Sequence, residues 1–331
     1  MKLHPFVAKM VESMANMPAF SDMTPQDARA AMAAGRAALG SGPDLASIRD
    51  VSIASRGGPL RARVYVPKGT PRGIVVYLHG GGWVLGSIED FDTYARSLAA
   101  ASEAVVVLPE YRLSPEYPYP AALEDTEDTL KWVYERRGNI IKGNSALVVA
   151  GDSAGANLAT VAARQLAGTI PLALQVLYYP VTDCDFDRPS YRTHGQGLPL
   201  KAQDMTWFFK QYSVPESWAD PTISPLRSNE LDSLPPTILV TAEFDVLADE
   251  GRAYAEKLKA AGVQVTSREL AGLTHGFVRL HNLLEPSREE LIKVGQEIRD
   301  ALKSAGCASQ TSKTAPGIVE FEHRAHDRTV H

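Results

Sequence analysis

The sequence predicts an α/β protein: an eight-stranded, mostly parallel sheet flanked by helices on both faces, with a helical cap. Three observations carry this prediction. Short, continuous apolar runs recur along the chain, as expected of strands buried on both faces. Helical patterns lie between most of them, the alternation that builds a parallel sheet. One long interval, residues 179–234, breaks the alternation without supplying a strand, and an excursion of that length is usually a functional insertion.

In chain order, Phe6, Val7, Met10, Val11 and Met14 recur at helical spacing. Thr24-Pro25-Gln26-Asp27 then supplies a cap, a proline at the first helical position and an acid in the first turn. An alanine-rich helix follows to about residue 39, where Gly40 and Gly42 stop it. Residues 1–45 therefore read as a first cap segment. Residues 50–54 and 60–66, joined by Gly57-Gly58-Pro59, read as a hairpin. Strands follow at 74–78, 104–108, 146–150, 172–178, 237–242 and 263–270, with helices at 92–102, 121–137, 154–165 and 249–261. The strandless interval holds a helix near 201–212, and 183–218 is taken as a second cap segment. A last helix, 286–305, closes a catalytic domain spanning 46–305. Residues 306–331 turn polar and lose periodicity, so they read as a tail without regular structure. Its His323, His326 and His331 are too irregularly spaced for a metal site.

Composition narrows the function. The chain has 331 residues, 44% hydrophobic and 22% charged, the profile of a globular protein. A net charge of −5 argues against nucleic-acid binding, which favours a basic face. The two cysteines, Cys184 and Cys307, have no metal-ligand or C-x-x-C spacing and fit a reducing compartment. No stretch reaches the roughly 20 apolar residues of a membrane span. Met1-Lys2-Leu3-His4-Pro5 opens no signal-peptide pattern. The expectation is a cytoplasmic protein, monomer or homodimer, acting on a small molecule.

The chemistry centres on Gly151-Asp152-Ser153-Ala154-Gly155, between an apolar run and a helical pattern. This fits a G-x-S-x-G nucleophile elbow with Ser153 at its apex. A serine hydroxyl is a weak nucleophile; it needs a base and a group to orient that base. On the fold that carries this elbow, the acid and then the histidine follow in the chain. Glu243, Asp245 and Asp249 are the candidate acids. Asp249 is explained as a helix cap and Glu243 stays close to the strand. Asp245, in the loop beyond the strand end, is favoured. His275, after the last strand and beside glycines, is the expected base, with His281 the competitor. His79-Gly80-Gly81-Gly82-Trp83 follows the strand ending at Leu78. Its bare backbone N–H groups, with that of Ala154, can bind a developing oxyanion. Trp83, Leu85, Trp207, Phe208 and Phe209 fit pocket walls and cap core equally well. No cofactor or metal is needed.

His79-Gly80-Gly81-Gly82-Trp83 upstream of Gly151-Asp152-Ser153-Ala154-Gly155 resembles the hormone-sensitive-lipase-like branch of the α/β-hydrolases. The resemblance covers nearly all of residues 45–305. It includes Tyr111-Arg112-Leu113-Ser114-Pro115-Glu116, the helix start at Pro120-Ala121-Ala122-Leu123-Glu124-Asp125, Asp220-Pro221 with Ser224-Pro225-Leu226, and Asp249-Glu250-Gly251. It implies an α/β-hydrolase fold with nucleophile Ser153, acid Asp245, base His275 and oxyanion donors at Gly81, Gly82 and Ala154. It also implies a cap made of the N-terminal helices and the segment after the sixth strand. Two departures stand out: Tyr117 occupies a position where members often carry histidine, and the tail has no family counterpart. The expected activity is serine carboxylesterase, acting on short- to medium-chain esters. An amidase or deacetylase would use the same triad. A non-catalytic receptor on this fold, as in the plant gibberellin receptors, lacks the histidine that His275 supplies here.

Overall fold

A computed structural model describes residues 2–142 and 146–311. The strands are β1 Ser47–Ser55, β2 Gly58–Val66, β3 Ile74–Leu78, β4 Val105–Pro109, β5 Leu147–Asp152, β6 Leu172–Tyr178, β7 Thr237–Phe244 and β8 Val265–Thr274. They form one sheet in the order β1-β2-β4-β3-β5-β6-β7-β8. β1 and β2 form the expected hairpin, and β2 also runs antiparallel to β4; the other pairs are parallel.

The helices are α1 Pro5–Ser13, α2 Pro25–Ala34, α3 Ile88–Ser102, α4 Ala121–Ile140, α5 Ala154–Gln165, α6 Pro189–His194, α7 Ala202–Tyr212, α8 Ala248–Ala260 and α9 Glu285–Thr311. Alternate strand residues feed two cores. Val75, Tyr77, Val106 and Leu108 pack with α3 and α9 on one face. Ile74, Val76, Leu78, Val105 and Val107 pack with α4, α5 and α8 on the other. The central strands are apolar on both sides because both sides are covered.

The order in which strands are added reverses between the parallel neighbours β3 and β5. β3 leads through α3 to β4 on one side, whereas β5 leads through α5 to β6 on the other. The crevice at such a switch point, beyond the carboxyl ends of the strands, is where ligands bind in open α/β sheets. The glycine loop after β3 and the serine turn after β5 flank it.

Several boundaries moved. α3 starts four residues before the expected Asp92, because Ser87 accepts the Asp90 N–H and caps the helix there. β8 runs on to Thr274, so His275 directly follows it. α9 continues to Thr311, which corrects the expected tail at its first residues; residues 312–331, with the three tail histidines, lie outside the described residues. The N-terminal segment divides in two. The His4 N–H bonds to the Gly272 carbonyl at 2.9 Å and Val7 enters the α3–α9 core, so α1 is fastened to the end of β8. Farther on, Phe20 meets Phe208 of α7, and the Ser21 N–H bonds to Asp204. Among the described residues, no helix is long and apolar enough to cross a membrane.

Candidate active site

β5 delivers the chain to Ser153, whose backbone sits at φ 56°, ψ −120° before α5 begins. A positive φ is uncommon for a side-chain-bearing residue and persists only where its surroundings enforce it. Here the Ser153 N–H is held by the Tyr178 carbonyl at 2.9 Å. The flanking glycines are required by close approach. A Cβ on Gly155 would lie 2.1 Å from the Leu78 carbonyl oxygen, and one on Gly151 would lie 2.5 Å from the Gly155 backbone. The turn thereby presses the start of α5 against β3, and the hydroxyl meets His275.

β7 ends at Phe244 and β8 at Thr274, so Asp245 and His275 each project from a strand terminus. His275 Nε2 lies 3.0 Å from Ser153 Oγ, and Nδ1 lies 2.8 Å from Asp245 Oδ2. The other carboxylate oxygen of Asp245 accepts the Leu247 N–H at 3.0 Å. The Asp245 side chain is fully buried and that of His275 nearly so. With an ionised Asp245 the imidazole proton belongs on Nδ1, leaving Nε2 to accept the serine proton. The Tyr179 ring packs 4.5 Å from the imidazole.

The competing residues lie elsewhere. His281 places one ring nitrogen 3.0 Å from the Val278 carbonyl and the other 2.9 Å from Ser97 Oγ; burial lowers its proton affinity. Glu243 accepts the Gly272 N–H and so ties β7 to β8. Asp249 is one residue inside α8 rather than its cap; it accepts the Ser190 N–H and pairs with Arg252.

The glycine loop lies beside the serine. Gly81 and Gly82 have φ of 121° and 61°. A Cβ on Gly81 would lie 2.3 Å from the Leu85 carbonyl oxygen, and one on Gly82 would lie 2.1 Å from the Phe208 ring. Among the described residues, no group of the chain accepts a hydrogen bond from the N–H of Gly81, Gly82 or Ala154. The loop is anchored by groups that sequence reasoning missed. Asp152 Oδ1 accepts both the Gly80 N–H and the Tyr77 hydroxyl, each at 2.8 Å, joining the loop to the serine turn. The Tyr111 hydroxyl donates to the His79 carbonyl, and the His79 ring stacks between Tyr111 and Phe91. Burial pushes the His79 imidazole down to about 4, so it is neutral and can donate its Nδ1 proton to the Gly80 carbonyl. Burial raises the Asp152 carboxyl above its ordinary range.

Of the expected pocket walls, Phe208 lies directly over Gly82. Trp83 stacks on Tyr212 at 4.2 Å and meets the edge of Phe209, so these side chains cement α7 to the glycine loop. Leu85 is buried and Trp207 packs on Phe208.

Residues 75–279 match the family model of the alpha/beta hydrolase fold. The chain is 38% identical over 264 residues to an ethyl acetate hydrolase of Pseudomonas putida, covering 77% of this chain and 83% of that one. The chain belongs to the hormone-sensitive-lipase-like family of the α/β-hydrolases. Another relative is a carboxylic ester hydrolase, LipN, of Mycobacterium tuberculosis, 39% identical over 258 residues (73% of this chain, 67% of that one). Among solved structures, a hyperthermophilic esterase from the archaeon Pyrobaculum calidifontis superposes with a TM-score of 0.86 at 37% identity, over 92% of this chain and all of that one.

In this α/β-hydrolase, the Asp249-Glu250-Gly251 segment expected from the family resemblance has a visible structural task. Glu250 is wholly buried, and its Oε1 accepts the N–H groups of Thr182 and Asp183 at 2.7 and 3.2 Å. It thereby pins the chain leaving β6 to α8. Burial raises its carboxyl from 4.5 to about 8, although the two N–H bonds favour the charged form. The folded state therefore holds a proton more tightly than the unfolded chain. The stabilising contribution is complete below the unfolded value and is lost as pH rises towards about 8. Glu250→Gln is expected to abolish this loss. Urea unfolding at about pH 5 and about pH 8 should show the wild type losing on the order of 3 kcal/mol more than the variant; parallel losses would contradict it.

Proposed function

We propose that this chain is a serine carboxylesterase that hydrolyses short- to medium-chain carboxylic esters through an acyl-enzyme on Ser153. The observation that carries the reading is the continuous run from Ser153 Oγ through His275 to Asp245, at 3.0 and 2.8 Å, beside three N–H groups with no partner among the described residues. The named activities of its relatives, ester hydrolysis in each case, support the same reaction.

As Ser153 Oγ attacks the ester carbonyl, its proton passes to His275 Nε2. Asp245 holds the imidazole tautomer and stabilises the imidazolium. The carbonyl oxygen becomes an oxyanion and is bound by Gly81, Gly82 and Ala154, donors fixed before the charge develops. Collapse breaks the bond to the alcohol oxygen, which takes the proton from His275. Water then attacks the acyl-enzyme, delivers a proton to His275, and is released as part of the carboxylic acid when Ser153 is reprotonated.

In this reading the expected cap is carried by the N-terminal segment beyond α1 together with residues 183–218, with Phe208 as the wall nearest the oxyanion loop. The sparse cysteines, without disulfide or metal-ligand spacing, favour a reducing, cytoplasmic setting. A panel of p-nitrophenyl esters of increasing acyl length, with matched anilides, tests the proposal. Turnover of the short and medium esters, with the anilides far slower, is expected. Faster turnover of the anilides would replace the esterase by an amidase, and turnover of neither would defeat both.

A further inference from the structure

We propose that Ser190 is a positioning residue for the catalytic acid, acting through a single peptide group. This rests on the assignment of Asp245 as the triad acid. Ser190 lies at the start of α6, in the interval between β6 and β7, far in sequence from the triad. Its buried hydroxyl donates to the Val246 carbonyl at 2.6 Å. That carbonyl belongs to the same peptide unit as the Leu247 N–H, which donates to Asp245 Oδ1 at 3.0 Å. The opposite carboxylate oxygen faces His275 Nδ1 at 2.8 Å.

The bonds therefore converge on the Asp245 carboxylate: the Ser190 hydroxyl and the Val246–Leu247 peptide donate toward Oδ1 from one side, and the Ser153 hydroxyl and the imidazole donate toward Oδ2 from the other. A peptide group is planar and rigid, so fixing its carbonyl end fixes the direction of its N–H end. Accepting a hydrogen bond at the carbonyl also polarises the N–H and strengthens the bond that it donates. Ser190 is itself clamped from both sides. Its N–H donates to Asp249 Oδ2 at 2.7 Å, and its Oγ accepts the Asp249 N–H at 3.4 Å. Val246 and Leu247 are fully buried, so water cannot take over the hydroxyl's part. The seating of α6 is thus transmitted to the carboxylate that orients the base. Asp249, conspicuous in sequence as a rival acid, serves to hold Ser190.

A double-mutant cycle with Asp245→Asn tests this. Ser190→Ala alone is expected to lower kcat on p-nitrophenyl butyrate about tenfold, the worth of one ordinary hydrogen bond, with KM changed less than about twofold. In the Asp245→Asn background the same substitution should change kcat by less than about twofold, because the carboxylate it serves is gone. Ser190→Cys, nearly the same size with a weaker donor, should give the same pattern at smaller amplitude and carries the cycle if the alanine variant does not fold. Equal effects of Ser190→Ala in both backgrounds, or no effect in the wild type, would overturn the relay while leaving the triad intact. An Asp245→Asn enzyme as active as the wild type would instead overturn the triad assignment, and the relay with it.

Discussion

Ser153→Ala is expected to lower kcat/KM on a short p-nitrophenyl ester by about 10⁶-fold, the loss typical when a serine nucleophile is removed from an intact triad. The substitution deletes the one atom that bonds to the acyl carbon and leaves the rest of the site in place. The Ser153 N–H bond to the Tyr178 carbonyl is a backbone bond and survives. Alanine tolerates the same φ of 56° about as well as serine does, so the turn keeps its shape. His275, Asp245 and the glycine loop then remain poised without a nucleophile. The residual rate should exceed the rate in water, because oxyanion binding persists. Steady-state kinetics, with a thermal melt to confirm folding, measures this. Near-normal turnover would eliminate Ser153 from the chemistry.

Asp245→Asn is expected to cost about 10⁴-fold in kcat, with little change in KM or stability. The hydrogen-bond donors around it dictate the outcome. The Leu247 N–H points at Asp245 Oδ1, so the amide oxygen of the asparagine must occupy that position. Its NH₂ then faces His275 Nδ1, where Asp245 Oδ2 stands now. Nδ1 becomes an acceptor, the imidazole proton moves to Nε2, and the nitrogen facing Ser153 Oγ can no longer take a proton. The flipped amide would set two donors against each other at Leu247. Kinetics with the asparagine variant tests this; a loss below about tenfold would contradict the assignment.

The sheet was legible because its central strands are buried on both faces, which forces unbroken apolar runs. The proposed triad residues are legible for a different reason: each projects from a strand terminus, so chain order and strand ends nearly locate them. Ser153, Asp245 and His275 come together where that reasoning places them. Other parts were not readable. Asp152 and Ser190 act on backbone groups distant in sequence, and neither leaves a periodic or spacing signal. Asp249 looks like a helix cap from its position, yet its carboxylate is directed at Ser190. Trp83 and Phe209 look as much like pocket walls as core, because aromatic side chains serve both; only the stacking of Trp83 on Tyr212 and the edge contact of Phe209 with Trp83 distinguish them. The start of α1 reads as cap, but its tie to Gly272 depends on a backbone bond that no side-chain pattern encodes.

If His275 and Asp245 activate Ser153 as a nucleophile, an organophosphate should modify that one serine. Intact-protein and peptide mass spectrometry after exposure to a diethyl p-nitrophenyl phosphate ester tests it most directly. One diethylphosphoryl group per chain is expected, located on Ser153, with its formation greatly slowed in the Asp245→Asn enzyme. No adduct on Ser153, or an adduct there formed equally fast without Asp245, would contradict it.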